Sequence, residues 1–296
     1  MDKKLLLILN PCSGKRIGKR YLADVVDLFG RRGFVPTVFV TAGRGHATEL
    51  AAAHGGAVDL VVCLGGDGTF NEVVSGLLQG GHTTPIGYIP CGSTNDFAAS
   101  IGLKKSVLKA TCDILDGTAQ TYDVGLFGER YFTYVASFGA FTRASYATSQ
   151  SIKNMLGHTA YLLGGIKDMS HIRSKHLRFE LEDGEVIEGD YIFGAISNST
   201  SLGGVLKLDS ELVDMNDGQF ELLLVKRPHT IAEMNDCVQM LTSHKYKPPV
   251  ITFRSASRVT VISDPAMDWS LDGEHCEGCE RLEIRNLHDA IRLVKP

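Results

Sequence analysis

The chain has 296 residues, 44% of them hydrophobic and 22% charged, and 30 basic against 34 acidic side chains give a formal net charge of -4. That composition excludes disordered, collagen-like and coiled-coil chains, and the charge excludes a general nucleic-acid footprint. At roughly 150 residues per domain, the length suggests two domains.

The chain opens on Lys3-Lys4 and an apolar run over 5–9 that Asn10-Pro11 terminates. The run is too short for a secretory leader and reads as a first buried strand. Residues 35–40, 60–64 and 85–89 read as further strands, and 21–29, 49–53 and 70–78 between them carry helical spacing, the last with Val73, Val74, Leu77 and Leu78 on one face. This alternation over 1–126 predicts a parallel sheet covered by helices. From about residue 127 short alternating runs separated by turn signals take over: 177–181, the Asp183-Gly184 turn, 191–196, 220–225, 250–253, 259–262 and 282–284. With a helix over 231–241 and a last strand over 291–294, they predict an antiparallel second domain over 127–285. No apolar run approaches the ~20 residues that span a bilayer. Seven cysteines, an odd number, suit a reducing cytoplasm better than a disulfide framework.

The strongest chemical signal is Gly65-Gly66-Asp67-Gly68-Thr69-Phe70-Asn71-Glu72, where a strand gives way to a helix. Glycines let a phosphate approach the backbone, a helix N-terminus offers unpaired amides, and Asp67 at the carboxyl end of a parallel strand is placed to orient a phosphate-bound metal. Two more glycine-bearing loops end strands at the same edge. They are Asn10-Pro11-Cys12-Ser13-Gly14-Lys15, which equally suits a plain helix cap at Ser13, and Pro90-Cys91-Gly92-Ser93-Thr94-Asn95-Asp96-Phe97. Together the three outline one phosphate site, although neither G-x-x-x-x-G-K-[ST] nor a G-x-G-x-x-G after the first strand occurs. Cys276-Glu277-Gly278-Cys279 beside His275 lacks the second ligand pair of a structural zinc and reads as a hairpin turn.

These loops, with the late Leu271-Asp272-Gly273-Glu274, resemble the motifs of the diacylglycerol kinase catalytic family, and over nearly its full length the chain is similar to the bacterial soluble, YegS-like lipid kinases. The resemblance implies an α/β fold: a Rossmann-like nucleotide-binding domain over 1–126, rejoined by the chain end at about 286–296, and an antiparallel β-sandwich lipid-substrate domain over 127–285. It implies ATP-dependent phosphorylation of the hydroxyl of diacylglycerol or a related lipid alcohol, giving a phospholipid such as phosphatidic acid. By motif, Asn10, Pro11, Cys12, Ser13, Gly14, Thr41, Gly66, Asp67, Gly68, Thr69, Phe70, Asn71, Glu72 and Thr94 contact ATP. Asp67, Asp96 and Asp123 form the acidic group around the catalytic Mg2+, and Glu274 is the general base, with Asp272 left as a turn former. Residues 214–219 resemble the family's structural magnesium loop, with the Asp217 side chain and the carbonyls of Asp214 and Gln219 as ligands; an ordinary Asn-Asp-Gly turn explains the same residues. The chain departs from the family at Ser93, at Ala99 where an arginine is frequent, and over 208–212, which lacks a proline.

Other readings stay open: a kinase of sphingoid or ceramide-like lipids, a NAD kinase, which shares Gly-Gly-Asp-Gly-Thr but carries a Thr-Pro-Thr-Gly-Ser-type second motif absent here, and a nucleotide- or lipid-binding regulator without turnover. Between 143 and 178 stand six basic residues (Arg143, Lys153, Lys167, Arg173, Lys175, Arg178) and one acidic (Asp168), interleaved with Met155, Leu156, Tyr161, Leu162 and Leu163. The segment reads as a peripheral contact with the anionic inner face of the membrane, or equally as a solvated basic face over core residues. The expected partner is a lipid substrate at that surface and no nucleic acid, with the assembly open between monomer and homodimer.

Overall fold

The computed structural model describes residues 2–139, 174–202, 206–209, 211–243, 245–246 and 250–296. The chain forms two compact units, Met1–Val124 with Leu287–Pro296, and Gly125–Asn286.

The first unit runs β1 (Lys3–Leu9), α1 (Ile17–Arg31), β2 (Phe34–Val40), α2 (His46–His54), β3 (Leu60–Gly65), α3 (Asp67–Gln79), β4 (Ile86–Pro90), α4 (Asp96–Ser100), α5 (Val107–Asp116) and most of β5 (Thr118–Phe127). β1 pairs in parallel with β2 and β3, and β3 with β4. The apolar runs of β1, β3 and β4 are buried on both faces, the pattern a helix-covered parallel sheet demands. Leu5, Leu7 and Leu9 pack with Val25 and Phe29 of α1 and with Val107 and Ile114 of α5. The register places Leu9 beside Leu64, Leu64 beside Ile89 and Gly65 beside Pro90, so β1, β3 and β4 end level. Their outgoing loops therefore emerge side by side, at the edge where open α/β sheets bind ligands.

The second unit continues with β6 (Arg130–Phe132), β7 (Val135–Gly139), β8 (Lys175–Leu181), β9 (Val186–Ser197), the short pair β10 (Ser201–Leu202) and β11 (Leu206–Lys207), and β12 (Phe220–Lys226). After α6 (Ile231–Ser243) come β13 (Ile251–Ala256), β14 (Arg258–Ile262), β15 (Asp268–Leu271), β16 (Glu274–Glu277) and β17 (Arg281–Lys295). Its strands pair antiparallel in the order β16-β15-β7-β9-β8-β14-β17, and β12 pairs with β9 and β13. Phe138, Phe179, Leu222, Leu224, Trp269 and Ile284 belong to its core. Trp269 meets Phe127 and Phe138 edge-on, each at 5.1 Å.

Several expectations are corrected. The separate strands over 282–284 and 291–294 are one strand, β17, because the polar residues between them interrupt the apolar pattern without ending the strand, which passes through Asp289 at φ 54. Helix α1 starts at Ile17, with Arg16 in the left-handed conformation before it and no side-chain cap, so Ser13 caps nothing there. Cys276 lies within β16, and the connection to β17 follows it. All seven cysteines are unpaired. Of the basic and apolar segment over 143–178, residues 143–173 lie outside the described residues, whereas Lys175 and Arg178 stand on β8. Arg178 is paired there with Glu180 and Glu188. Among the described residues, no helix is long and apolar enough to cross a membrane.

Candidate active site

Asn10, the first residue past β1, ties two of the three loops together. Its N–H donates to the Leu64 carbonyl (3.1 Å), its Nδ2 donates to Thr69 Oγ1 (2.9 Å), and its Oδ1 accepts the Cys12 N–H (2.9 Å). The glycines then let the loops sit directly on one another. Gly14 has φ +52 and a Cβ there would lie 2.3 Å from the Cys91 carbonyl oxygen, while a Cβ on Gly92 would lie 2.8 Å from the Gly66 Cα. Loop-on-loop packing, not only the approach of a phosphate, thus requires glycine here. Asn95, which sequence reasoning passed over, closes the third loop: Oδ1 accepts the Gly92 N–H (2.8 Å) and Nδ2 donates to the Gly92 carbonyl (2.9 Å). The available signal was an asparagine ahead of a helix, and its φ of 54 is one that asparagine tolerates well.

Asp67 opens α3, and its Oδ2 accepts the Asp96 N–H at 2.9 Å, so the N-termini of α3 and α4 meet across these two acids. Its Oδ1 lies 3.4 Å from the Tyr88 hydroxyl. Burial, and next the Asp67 charge, push the Tyr88 phenol well above its usual range and keep it a neutral donor. Phe70 stacks between Tyr88 (4.4 Å) and Phe97 (4.7 Å), a rigid apolar base under the acids. Phe70 and Glu72 stood among the expected ATP contacts, yet the Phe70 ring is 0% exposed within this stack. The Glu72 carboxylate accepts the N–H groups of Gly45 (2.9 Å) and Ala47 (3.1 Å), holding the start of α2. Thr41 is tied to β1 through its N–H to the Leu9 carbonyl (2.8 Å), and Thr94 is exposed in the third loop. Asp123, 1% exposed, shares hydrogen bonds with His288 Nδ1 and the Asp289 N–H, both at 2.9 Å. The returning chain end holds this acid, and His288 and Asp289 carried no motif that would have revealed it.

In the second unit Glu274 is the first residue of β16, paired with Leu271 across the two-residue turn Asp272-Gly273. Asp272 is more than the expected turn former: it is buried, and its carboxylate accepts hydrogen bonds from Thr133, Tyr134 and Val135.

Over 214–219 the Asp214 and Asp217 carboxylates accept the N–H groups of Asn216 (3.1 Å) and Gln219 (2.9 Å), and the Gln219 carbonyl accepts Asn286 Nδ2 (2.8 Å). Those contacts are what an ordinary turn makes. Two buried acceptors, Glu221 Oε2 and Asn286 Oδ1, nevertheless lack a donor. Burial first, and then the charges of Asp217 and Asp214, push the Glu221 carboxyl up to about 8. Unsatisfied oxygens beside carboxylates suit a hard cation such as Mg2+. Among the described residues no group of three or more His, Cys, Asp or Glu side chains is placed to hold a metal, so a cation at this loop would draw on carbonyl oxygens, and Asp67, Asp96 and Asp123 form no such group.

Residues 4–127 match the diacylglycerol kinase catalytic domain. Over 298 aligned residues the chain is 34% identical to the diacylglycerol kinase of Bacillus subtilis (strain 168), covering 99% of this chain and 97% of that protein. Identity to the diacylglycerol kinase of Staphylococcus carnosus (strain TM300) is 31%, covering 100% of this chain and 96% of that one. The crystal structure of a diacylglycerol kinase from Bacillus anthracis str. Sterne superposes with a TM-score of 0.75 at 19% identity, covering 99% of this chain and 97% of the other, a likeness of fold.

Proposed function

Since the chain belongs to the diacylglycerol kinase family and is an ATP-dependent lipid kinase, we propose that it transfers the terminal phosphoryl group of ATP to the free hydroxyl of diacylglycerol, giving phosphatidic acid. The observation that carries this reading is the meeting of Asp67 and Asp96 at two helix N-termini, at the edge where three interlocked glycine loops emerge. Phosphoryl transfer asks a protein chiefly for positioning and charge neutralisation. In this reading the loop of residues 10–14 and the amides of residues 66–69, with Thr41 and Thr94, hold the nucleotide. Asp67, Asp96 and Asp123, which do not gather around an ion by themselves, complete the coordination of the Mg2+ that accompanies it bound to the phosphates. That ion supplies charge neutralisation of the phosphates when bound. Glu274 takes the proton of the acceptor hydroxyl, so that the oxygen attacks as ADP leaves. A cation at the loop over 214–219 supports the second unit. The lipid is met at an anionic membrane surface, to which the net positive charge of the sequence over 143–178 would be attracted.

Radiolabelled ATP offered with vesicles containing diacylglycerol, ceramide or a sphingoid base tests the acceptor. Label is expected in phosphatidic acid, with transfer rising with anionic lipid and falling with salt as screening shortens the attraction. Transfer to ceramide or the sphingoid base alone overturns the acceptor, and indifference to vesicle charge overturns the membrane contact.

A further inference from the structure

A two-residue hairpin with positive φ at both central positions is served by Asn-Gly or by a solvent-facing Asp-Gly. In the turn between β15 and β16, Asp272 has φ 49 and Gly273 φ 80, yet Asp272 is only 7% exposed. Burying a carboxylate is costly unless donors replace its water, and four do so. The Thr133 N–H (2.6 Å) and Thr133 Oγ1 (2.8 Å) donate to Oδ2, and the N–H groups of Tyr134 and Val135, both at 3.0 Å, donate to Oδ1. The Asp272 N–H returns a bond to the Val135 carbonyl at 2.9 Å. Three consecutive backbone amides thus converge on one carboxylate 137 to 139 residues away in sequence. Beside this clamp β15 pairs with β7 through Leu271 and Ala136, and Leu271 pairs with Glu274. The tip of the hairpin is therefore held on both sides, where an unanchored hairpin tip opens readily.

We propose that Asp272 is a positioning residue whose buried carboxylate fixes the place of Glu274, an inference that rests on Glu274 being the general base. A base must lie within hydrogen-bond reach of the proton it takes, and a displacement of ~1 Å costs on the order of 10²-fold in rate. Asp272 makes no contact with the substrate in this account. It acts through the turn that carries Glu274.

Asp272→Asn keeps the size but turns an NH2 group toward backbone N–H donors, which pushes the turn off its anchor. The expected result is a fall in kcat of ~10- to 100-fold with the KM for ATP and the far-ultraviolet circular dichroism unchanged. In the Glu274→Gln background the same substitution should lower kcat no further, because residues that act as a unit are not additive. Thr133→Val, which deletes one of the four donors, should give a milder loss with the same dependence on Glu274, and it decides the matter if Asp272→Asn does not fold. Wild-type kcat in Asp272→Asn, or an equal fold-loss in both backgrounds, overturns the positioning role. Wild-type kcat in Glu274→Gln by itself overturns the base on which the inference rests.

Discussion

Asp67 and Glu221 are carboxyls in opposite circumstances, and substitution at each reads out a different property. The Asp67 oxygen that accepts the Asp96 N–H has an equivalent in asparagine, so Asp67→Asn keeps the contact between the two helix starts while removing the charge. We expect kcat to fall ~10²-fold or more, as when a charge-stabilising group is removed from a transfer site, with an unchanged melting curve. Full activity at saturating magnesium would show that the charge is not used. Glu221, 1% exposed with one oxygen lacking a donor, holds its proton in the folded chain up to about 8 against a usual value of 4.5. Between those values the folded chain binds a proton that the unfolded chain has lost, so stability falls as pH rises through the window, by up to ~1.4 kcal/mol per pH unit. With chelator present, Glu221→Gln should flatten that fall and melt higher than the parent at pH 8. Parallel curves for the two proteins would mean that Glu221 is ionised throughout.

Helices α2 and α3 pack at backbone distance, because a Cβ on Gly76 would lie 2.2 Å from the Thr48 carbonyl oxygen and 2.8 Å from the Ala51 Cβ. One turn earlier on α3, Glu72 holds the N–H groups of Gly45 and Ala47, so any shift of α3 against α2 is transmitted to the loop after Thr41. Gly76→Ala should therefore destabilise by ~1–3 kcal/mol, the usual cost of overpacking. It should also raise the KM for ATP more than it lowers kcat, if Thr41 contributes to the nucleotide. Denaturant titration and steady-state kinetics on one preparation check both; a shift in neither would show that the helices yield without moving the loop. β17 shows the same dependence of one element on another. Its early residues pair with β14 and Leu293 pairs with Ile86 of β4, so each part of the strand is stabilised by different neighbours.

At the scale of the molecule, two units of different texture come from one chain because their hydrophobic patterns differ: continuous runs in a parallel sheet, alternating ones in antiparallel strands. The cation proposed for the loop over 214–219 is testable at this scale, since a ligand that binds only the folded chain raises its melting temperature. EDTA should lower the melting midpoint of the parent by several degrees but leave Asp217→Ala unmoved, and elemental analysis should find magnesium only in the parent. A parent melt indifferent to EDTA would remove the ion from this loop and leave Asp214 and Asp217 as turn formers.

The α/β alternation, the antiparallel texture after residue 127 and the glycine loops at three strand ends were legible in the sequence because each is a local signal, set by side-chain period or by the backbone freedom of a few adjacent residues. Asp67 and Asp96 stand in those loops, but the roles of Asp96 and Glu274 could be named only through the likeness of their motifs to those of a family. The partners of those motifs could not be named at all. Glu72 turns to amides 25 and 27 residues away, Asp123 to a chain end 165 residues on, and Asp272 to amides more than 130 residues back. The continuity of β17 through its polar middle was equally hidden, since its two ends pair with different strands. Such contacts exist only once distant strands have paired in register, and the register follows from burying whole hydrophobic faces together, a property of the assembled sheet that no short stretch of sequence carries.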